Sequence, residues 1–168
     1  MTIEELNNLP ADKTFEELFK CCGSTTWAKQ LTTKKPFDSK ISLLHNSNWI
    51  WQNCTVRDAL EAFTHHPKIG DLKSLEKKFA STKDWAGGEQ AGVNVATQNT
   101  LIALADGNEA YYKKFGYIFI VCATGKTAEE MLALLNTRLG NTPDIEIKIA
   151  MGEQNKITHI RLEKLINE

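Results

Sequence analysis

An all-α fold, built as a single-domain multi-helix bundle over residues 1–168, is what this sequence predicts, and three observations lead there. Apolar residues recur at helical spacing through most of the chain, with capping residues at the starts of the runs. One run alone, "YIFIVCATGKT" at 117–127, is strand-like, and a single strand cannot make a sheet. No internal repeat, low-complexity tract or long linker divides the chain, and its 42% hydrophobic content suffices for one core.

The elements follow in order. Thr2 and Glu5 make a capping-box pattern at the first helix. The next follows Pro10, sets Phe15, Leu18, Phe19 and Cys22 on one face, and ends at Gly23. Ser24 caps a third, carrying Trp27 and Leu31, and "LTTKKPFDSK" is a polar connector. Asp38 or Ser39 starts a helix through Ile41, Leu44, Asn48 and Trp51. Thr55 starts another, with Val56, Ala59, Leu60 and Phe63 on one side. It must stop before Pro67, because proline disfavours the helical region for its predecessor, and this predicts an extended His66 at a helix C-terminus. Asp71 caps a short helix holding Leu72, Leu75 and Phe79. Gly87 and Gly88 break the chain, and a long helix runs from about Glu89 to Ala105, ended by "DGN". "NEAYYKKF" is helical again, "TAEEMLALLNTRL" is amphipathic, and a last long helix runs from Pro143 to Leu165.

Composition excludes several classes. A net charge of −1 without a basic block argues against a nucleic-acid partner. No apolar run approaches the ~18 residues of a membrane span. The acidic start "MTIEELNNLP" lacks the order of a secretory signal and the final "INE" is not a peroxisomal address, so the expected location is cytoplasmic. Cys21, Cys22, Cys54 and Cys122 read as free thiols.

Four places carry chemistry. "CATGKT" invites a phosphate-loop reading, but Ile120 stands where that motif needs its first glycine; the plainer reading has Thr127 capping the next helix. His65 and His66 diverge as neighbours and make a poor metal pair, and no metal-ligand set is visible. His66, held between a helix end and a proline, can aim an imidazole that titrates near neutral pH, whereas a lone histidine is more often structural. Glu89 and Gln90 open a helix after two glycines; the plain reading is a favourable first-turn glutamate, the sharper one an ionised carboxylate where a ligand approaches. Arg161 shares a helical stripe with Ile157 and Leu165, near Ile160, so it either snorkels to solvent or meets an anionic or carbonyl partner.

"HPKIGD" at 66–71, "GEQAGV" at 88–93, "YYKKFGYIFIVCATGKTAEEML" at 111–132, "RLGN" at 138–141 and "KITHIRLEKL" at 156–165 stand together in a known order. Phe15, Cys22 and Trp27 fit the N-terminal half. Over nearly its whole length the chain resembles the family of 2-oxo-4-hydroxy-4-carboxy-5-ureidoimidazoline (OHCU) decarboxylases of urate breakdown. The resemblance implies an all-α carboxy-lyase, free of cofactor and metal, that converts OHCU to (S)-allantoin and carbon dioxide. It puts the catalytic roles on His66, Glu89 and Arg161. It puts substrate contacts at Pro67, Gln90, Phe119, Ile120, Val121 and Ala123. One departure is Ala86, where many members carry serine. Some members are fused to a transthyretin-like hydrolase; the expectation here is a decarboxylase domain alone, with a separate hydrolase upstream. Members often form dimers, so a homodimer is a further expectation. The rival class is a non-catalytic helical module that binds a purine-breakdown heterocycle without turnover.

Overall fold

A computed structural model describes residues 1–67, 70–80 and 90–167, with residues 80 and 90–96 described by backbone alone. Among these residues every regular element is an α-helix: α1 Ile3–Asn8, α2 Ala11–Cys22, α3 Thr25–Thr32, α4 Lys40–Gln52, α5 Val56–Thr64, α6 Leu72–Ala80, α7 Gln90–Phe115, α8 Ala128–Leu139 and α9 Pro143–Leu165. None of them is long and apolar enough to cross a membrane. The chain divides into two compact units, one of Met1–His66, Ile120–Cys122 and Ile147–Glu168, the other of Pro67–Phe119 and Ala123–Glu146.

In the first unit, hydroxyl caps set the helix starts. Thr2, Ser24, Ser39 and Thr55 accept from the backbone N–H groups of Glu5, Trp27, Ser42 and Asp58, each satisfying a donor the helix cannot. Gly23 ends α2 at φ 82°, and a Cβ there would lie 2.8 Å from the Cβ of His65. Glycine is thus needed twice over, for the left-handed turn and for the approach of the α5 end. Helix α3 packs against α2, α4 and α5. Its Trp27 is fully buried and donates from Nε1 to the Ser47 carbonyl at 3.1 Å. Trp51 of α4 donates likewise to the Met151 carbonyl of α9 at 2.9 Å.

The buried faces of α4 and α5 differ from the expected ones. Leu43, Ser47, Ile50 and Trp51 are inside on α4, while Ile41 is 79% exposed. On α5 Ala59, Ala62 and Phe63 are inside, while Val56 and Leu60 are exposed. Both helices carry apolar residues on more than one face, and packing against the rest of the unit, α3 included, chooses between them. The connector before α4 is also more than polar. Phe37 is buried, with its backbone N–H and carbonyl both bonded to the Asn7 side chain at 2.8 Å.

In the second unit Asp71 caps α6, as expected, through its bond from the Ser74 N–H at 3.0 Å. Helix α7 does not stop at "DGN" but runs through it. A Cβ at Gly107 would come within 2.7 Å of Leu135 Cδ2 on α8, so this glycine marks a close helix contact and not a helix end. Thr127 caps α8 in a full capping box with Glu130. Glu146, with no exposure at all, accepts from Tyr111 Oη, from Arg138 Nε at 2.7 Å and from Asn141 Nδ2 at 2.8 Å. The Arg138 guanidinium also lies 4.6 Å from the centre of the Phe119 ring.

The strand-like run at 117–127 forms no strand. Its composition answers to burial, since Tyr117 and Ile120 are both inside, and no second run exists to complete a ladder. One of its amides, Cys122 N–H, finds the Glu153 carboxylate of α9 at 2.7 Å instead. Without a strand, and with the start of α8 closed by its own capping box, the phosphate-loop reading has no structural basis.

Candidate active site

The site begins at the end of α5. His65 N–H bonds to the Ala62 carbonyl at 3.1 Å and His66 N–H to the Phe63 carbonyl at 3.3 Å, so the last helical turn carries the backbone up to Pro67. The two histidines part there. His65 is exposed, with its ring edge-on to Phe19 at 4.9 Å between centroids. His66 is half-buried and its Nε2 meets Oε1 of Gln154 on α9 at 2.5 Å. Gln154 is fully buried, and its Nε2 donates to the Cys22 carbonyl at 3.3 Å and to Thr158 Oγ1 at 3.1 Å. Burial pushes the imidazole below its ordinary pKa, against the Gln154 bond, and the charge of Arg161 and neighbouring His65 push the same way. The ring is therefore neutral at neutral pH.

Arg161 settles the snorkelling question. Its Nη1 donates to the Cys21 carbonyl at 3.3 Å, and it has no ion-pair partner among the described residues. The core stripe of α9 lies one position away from the expected one: Ala150, Gln154, Thr158, Leu162 and, just past the helix, Ile166 are buried, whereas Ile157, Arg161 and Leu165 flank them half-exposed. Among the described residues, Arg161 thus sits at the edge of the core with donors to spare.

The first unit therefore brings His66 and Arg161 together, and Ile120 and Val121 belong to the same unit, Ile120 buried and Val121 half-buried. Pro67, Phe119 and Ala123 belong to the second unit. Gln90 opens α7. The side chain of Gln90, and Glu89 and Ala86 entirely, lie outside the described residues. Two residues went unread in the sequence, Gln154 and Glu153. Gln154, Thr158 and Arg161 stand at i, i+4 and i+7, a polar row along one side of a helix, and that row was the available signal.

Three of the four thiols are held protonated by burial. All four cysteines are free, and burial pushes Cys21 up to about 11, Cys22 to about 12 and Cys54 to about 11, far from thiolate at neutral pH. Among the described residues no group of three or more His, Cys, Asp or Glu stands together as a metal cluster.

Among the described residues, the first unit holds an imidazole whose neutral form is favoured and a guanidinium without an ion-pair partner, groups whose chemistry suits acid–base work on an anionic or carbonyl-bearing ligand. The sequence pattern of the OHCU decarboxylase family matches residues 7–163, and the chain belongs to that family. It is 39% identical to the uric acid degradation bifunctional protein TTL of Arabidopsis thaliana over 149 residues, 88% of this chain and 46% of that protein. It is 24% identical to the 2-oxo-4-hydroxy-4-carboxy-5-ureidoimidazoline decarboxylase of Halalkalicoccus jeotgali, over 98% of this chain and 92% of that one. The chain spans about half the length of the Arabidopsis relative and a third of the Bacillus subtilis bifunctional protein PucL, to which it is 24% identical. A crystal structure of an OHCU decarboxylase in the presence of (S)-allantoin superposes with a TM-score of 0.73 at 38% identity, covering 91% of this chain and 99% of that one.

Proposed function

We propose that this chain decarboxylates OHCU to (S)-allantoin and carbon dioxide, with catalytic roles on His66, Glu89 and Arg161. The observation that carries the reading is the neutral, Gln154-held imidazole of His66 with Arg161 beside it, in a chain of this family. The continuous family match from 7 to 163 supports one functional domain. A small-molecule substrate, a cytoplasmic location and a homodimer complete the proposal, and sedimentation of the purified protein tests the last.

The substrate's chemistry explains why so few groups suffice. Its hydroxyl and carboxylate share one ring carbon, next to an imine carbon bearing the ureido group. When the carbon–carboxylate bond breaks, carbon dioxide leaves and the bonding pair forms a double bond to the imine carbon. The imine nitrogen takes the displaced pair and a proton. The resulting enol then loses its O–H proton as the carbonyl forms, and the neighbouring carbon takes a proton on one face, which sets the (S) hand. One proton is taken up overall. The ring system is its own electron sink, so the protein's task is orientation and charge. His66, neutral, accepts the enol proton. Arg161 and Gln90 hold carbonyl oxygens, Glu89 accepts ring and ureido N–H bonds, and the backbone at 119–123 contacts the ring.

The test couples the chain to urate oxidase and hydroxyisourate hydrolase and follows circular dichroism. Fast formation of single-handed allantoin is the expected result. Slow racemic product despite measurable ligand binding would instead identify a binding module.

A further inference from the structure

The orientation of one buried amide decides which atom of His66 does chemistry. Gln154 has no exposure, so water cannot rescue a mismatched partner. One end of its amide faces the Cys22 carbonyl, which only accepts. That end must therefore be the NH2 group, because the flipped amide would set two carbonyl oxygens against each other. Thr158 Oγ1, which takes either role, accepts the second amide hydrogen at 3.1 Å. The other end, facing His66 at 2.5 Å, is then the carbonyl oxygen. An oxygen that only accepts needs a donor opposite, and in a neutral imidazole one nitrogen donates while the other keeps a lone pair.

We propose that Gln154 is a positioning residue that fixes the His66 imidazole as its Nε2–H tautomer, leaving Nδ1 as the atom that exchanges a proton with the ligand. The tautomer rests on the geometry alone, while the role of Nδ1 in turnover rests on the decarboxylase reading. An amide suits this task better than a carboxylate. A carboxylate would fix the same tautomer but would also favour the imidazolium, whereas a ring that must accept a proton has to start neutral. Gln154 itself is fixed by Cys22, the last residue of α2, and by Thr158 one turn along α9, so the proton's location is set by backbone and core.

The experiment is long-range proton–nitrogen correlation on the full chain labelled with 15N-histidine, with His66→Gln used to assign the signals. The expected wild-type spectrum shows a protonated, pyrrole-type Nε2 and an unprotonated, pyridine-type Nδ1 for His66. Gln154→Leu should average the two nitrogens, lower kcat roughly 10-fold or more, and leave KM within about threefold. Thr158→Val, which loosens the amide without removing it, should average them in part. A proton on Nδ1 in the wild type overturns the inference. So does a Gln154→Leu protein that keeps one sharp Nε2–H tautomer and full turnover. Should Gln154→Leu not fold, the wild-type and Thr158→Val spectra decide. A wild type that shows the Nε2–H tautomer but never decarboxylates OHCU upholds the tautomer and sinks the proposed activity, so the two readings fail separately.

Discussion

The two units each place an arginine beside apolar surroundings, and they treat it in opposite ways. In the second unit Arg138 meets a fully buried Glu146, whose oxygens are further bonded by Tyr111 and Asn141, and its guanidinium covers the Phe119 ring. In the first unit Arg161 makes one bond to a backbone carbonyl, and the nearby His66 ring makes one to Gln154, among the described residues. A closed network fixes side chains and carries order; an open one keeps donors and a lone pair for something else. The proposed function reads the first as a structural charge and the second as a functional one, and that reading can be broken from either side.

The largest effect should come from opening the closed cluster. Glu146→Ala removes the buried carboxylate that Arg138, Tyr111 and Asn141 all bond to and should cost about 3–5 kcal/mol of stability, read by urea unfolding. A loss below about 1 kcal/mol would mean that the cluster is not closed in the sense argued. The next effect is on rate. His66→Ala should lower turnover at least ~100-fold with little change in the urea midpoint, while His65→Ala should be mild, since that ring only edges onto Phe19. Equal losses for the two would refute the assignment. Arg161→Lys should lose turnover as badly as Arg161→Leu if the planar fork binds a carbonyl, because lysine cannot reproduce it. Near-normal turnover in the lysine variant would reduce Arg161 to its bond with Cys21.

Glu89→Gln should cost at least ~10-fold in rate, since charge-assisted bonds are roughly twice as strong as neutral ones. A residue that only opens a helix would instead lower the melting temperature slightly, through roughly 0.3–1 kcal/mol of dipole interaction, and leave turnover near normal.

The same contrast marks what the sequence made legible. Caps are local chemistry, and Thr2, Ser24, Ser39, Thr55, Asp71 and Thr127 all act as the side chains suggest. His66 and Arg161 stood out because each broke a local pattern. What stayed hidden depends on a partner far along the chain. Gly107 reads as a helix end until Leu135 lies against it, and "YIFIVCATGKT" reads as a strand until it has no ladder to join. Ile41 and Leu43 are equally apolar, and only the tertiary packing around α4 decides which is buried. Gln154 is the sharpest case, since its meaning needs Cys22 and His66, both remote in sequence.

The smallest expected effect is on pH dependence, and its sign follows from burial. His66 titrates below its ordinary value because burial disfavours the charged ring, with Arg161 and His65 adding repulsion. In the unfolded chain the ring returns to about 6.5. Between the folded and unfolded values the unfolded chain binds more protons, so stability rises with pH across that window. The contribution is fully present above the unfolded value and is lost as pH falls towards the folded one. Tyr111 in the closed cluster cannot mimic this, because burial and its bond to Glu146 hold it above its ordinary value, so it stays protonated throughout. His66→Gln removes the titrating group and should flatten the fall in melting temperature as pH drops below the unfolded value of about 6.5, relative to wild type. Arg161→Leu removes one source of repulsion, raises the folded value and should flatten it in part. The acid limb of kcat/KM should lie below the ordinary imidazole range in wild type and move up in Arg161→Leu. An acid limb at or above that range in the wild type would show that the neutral ring described here is not the one that reacts.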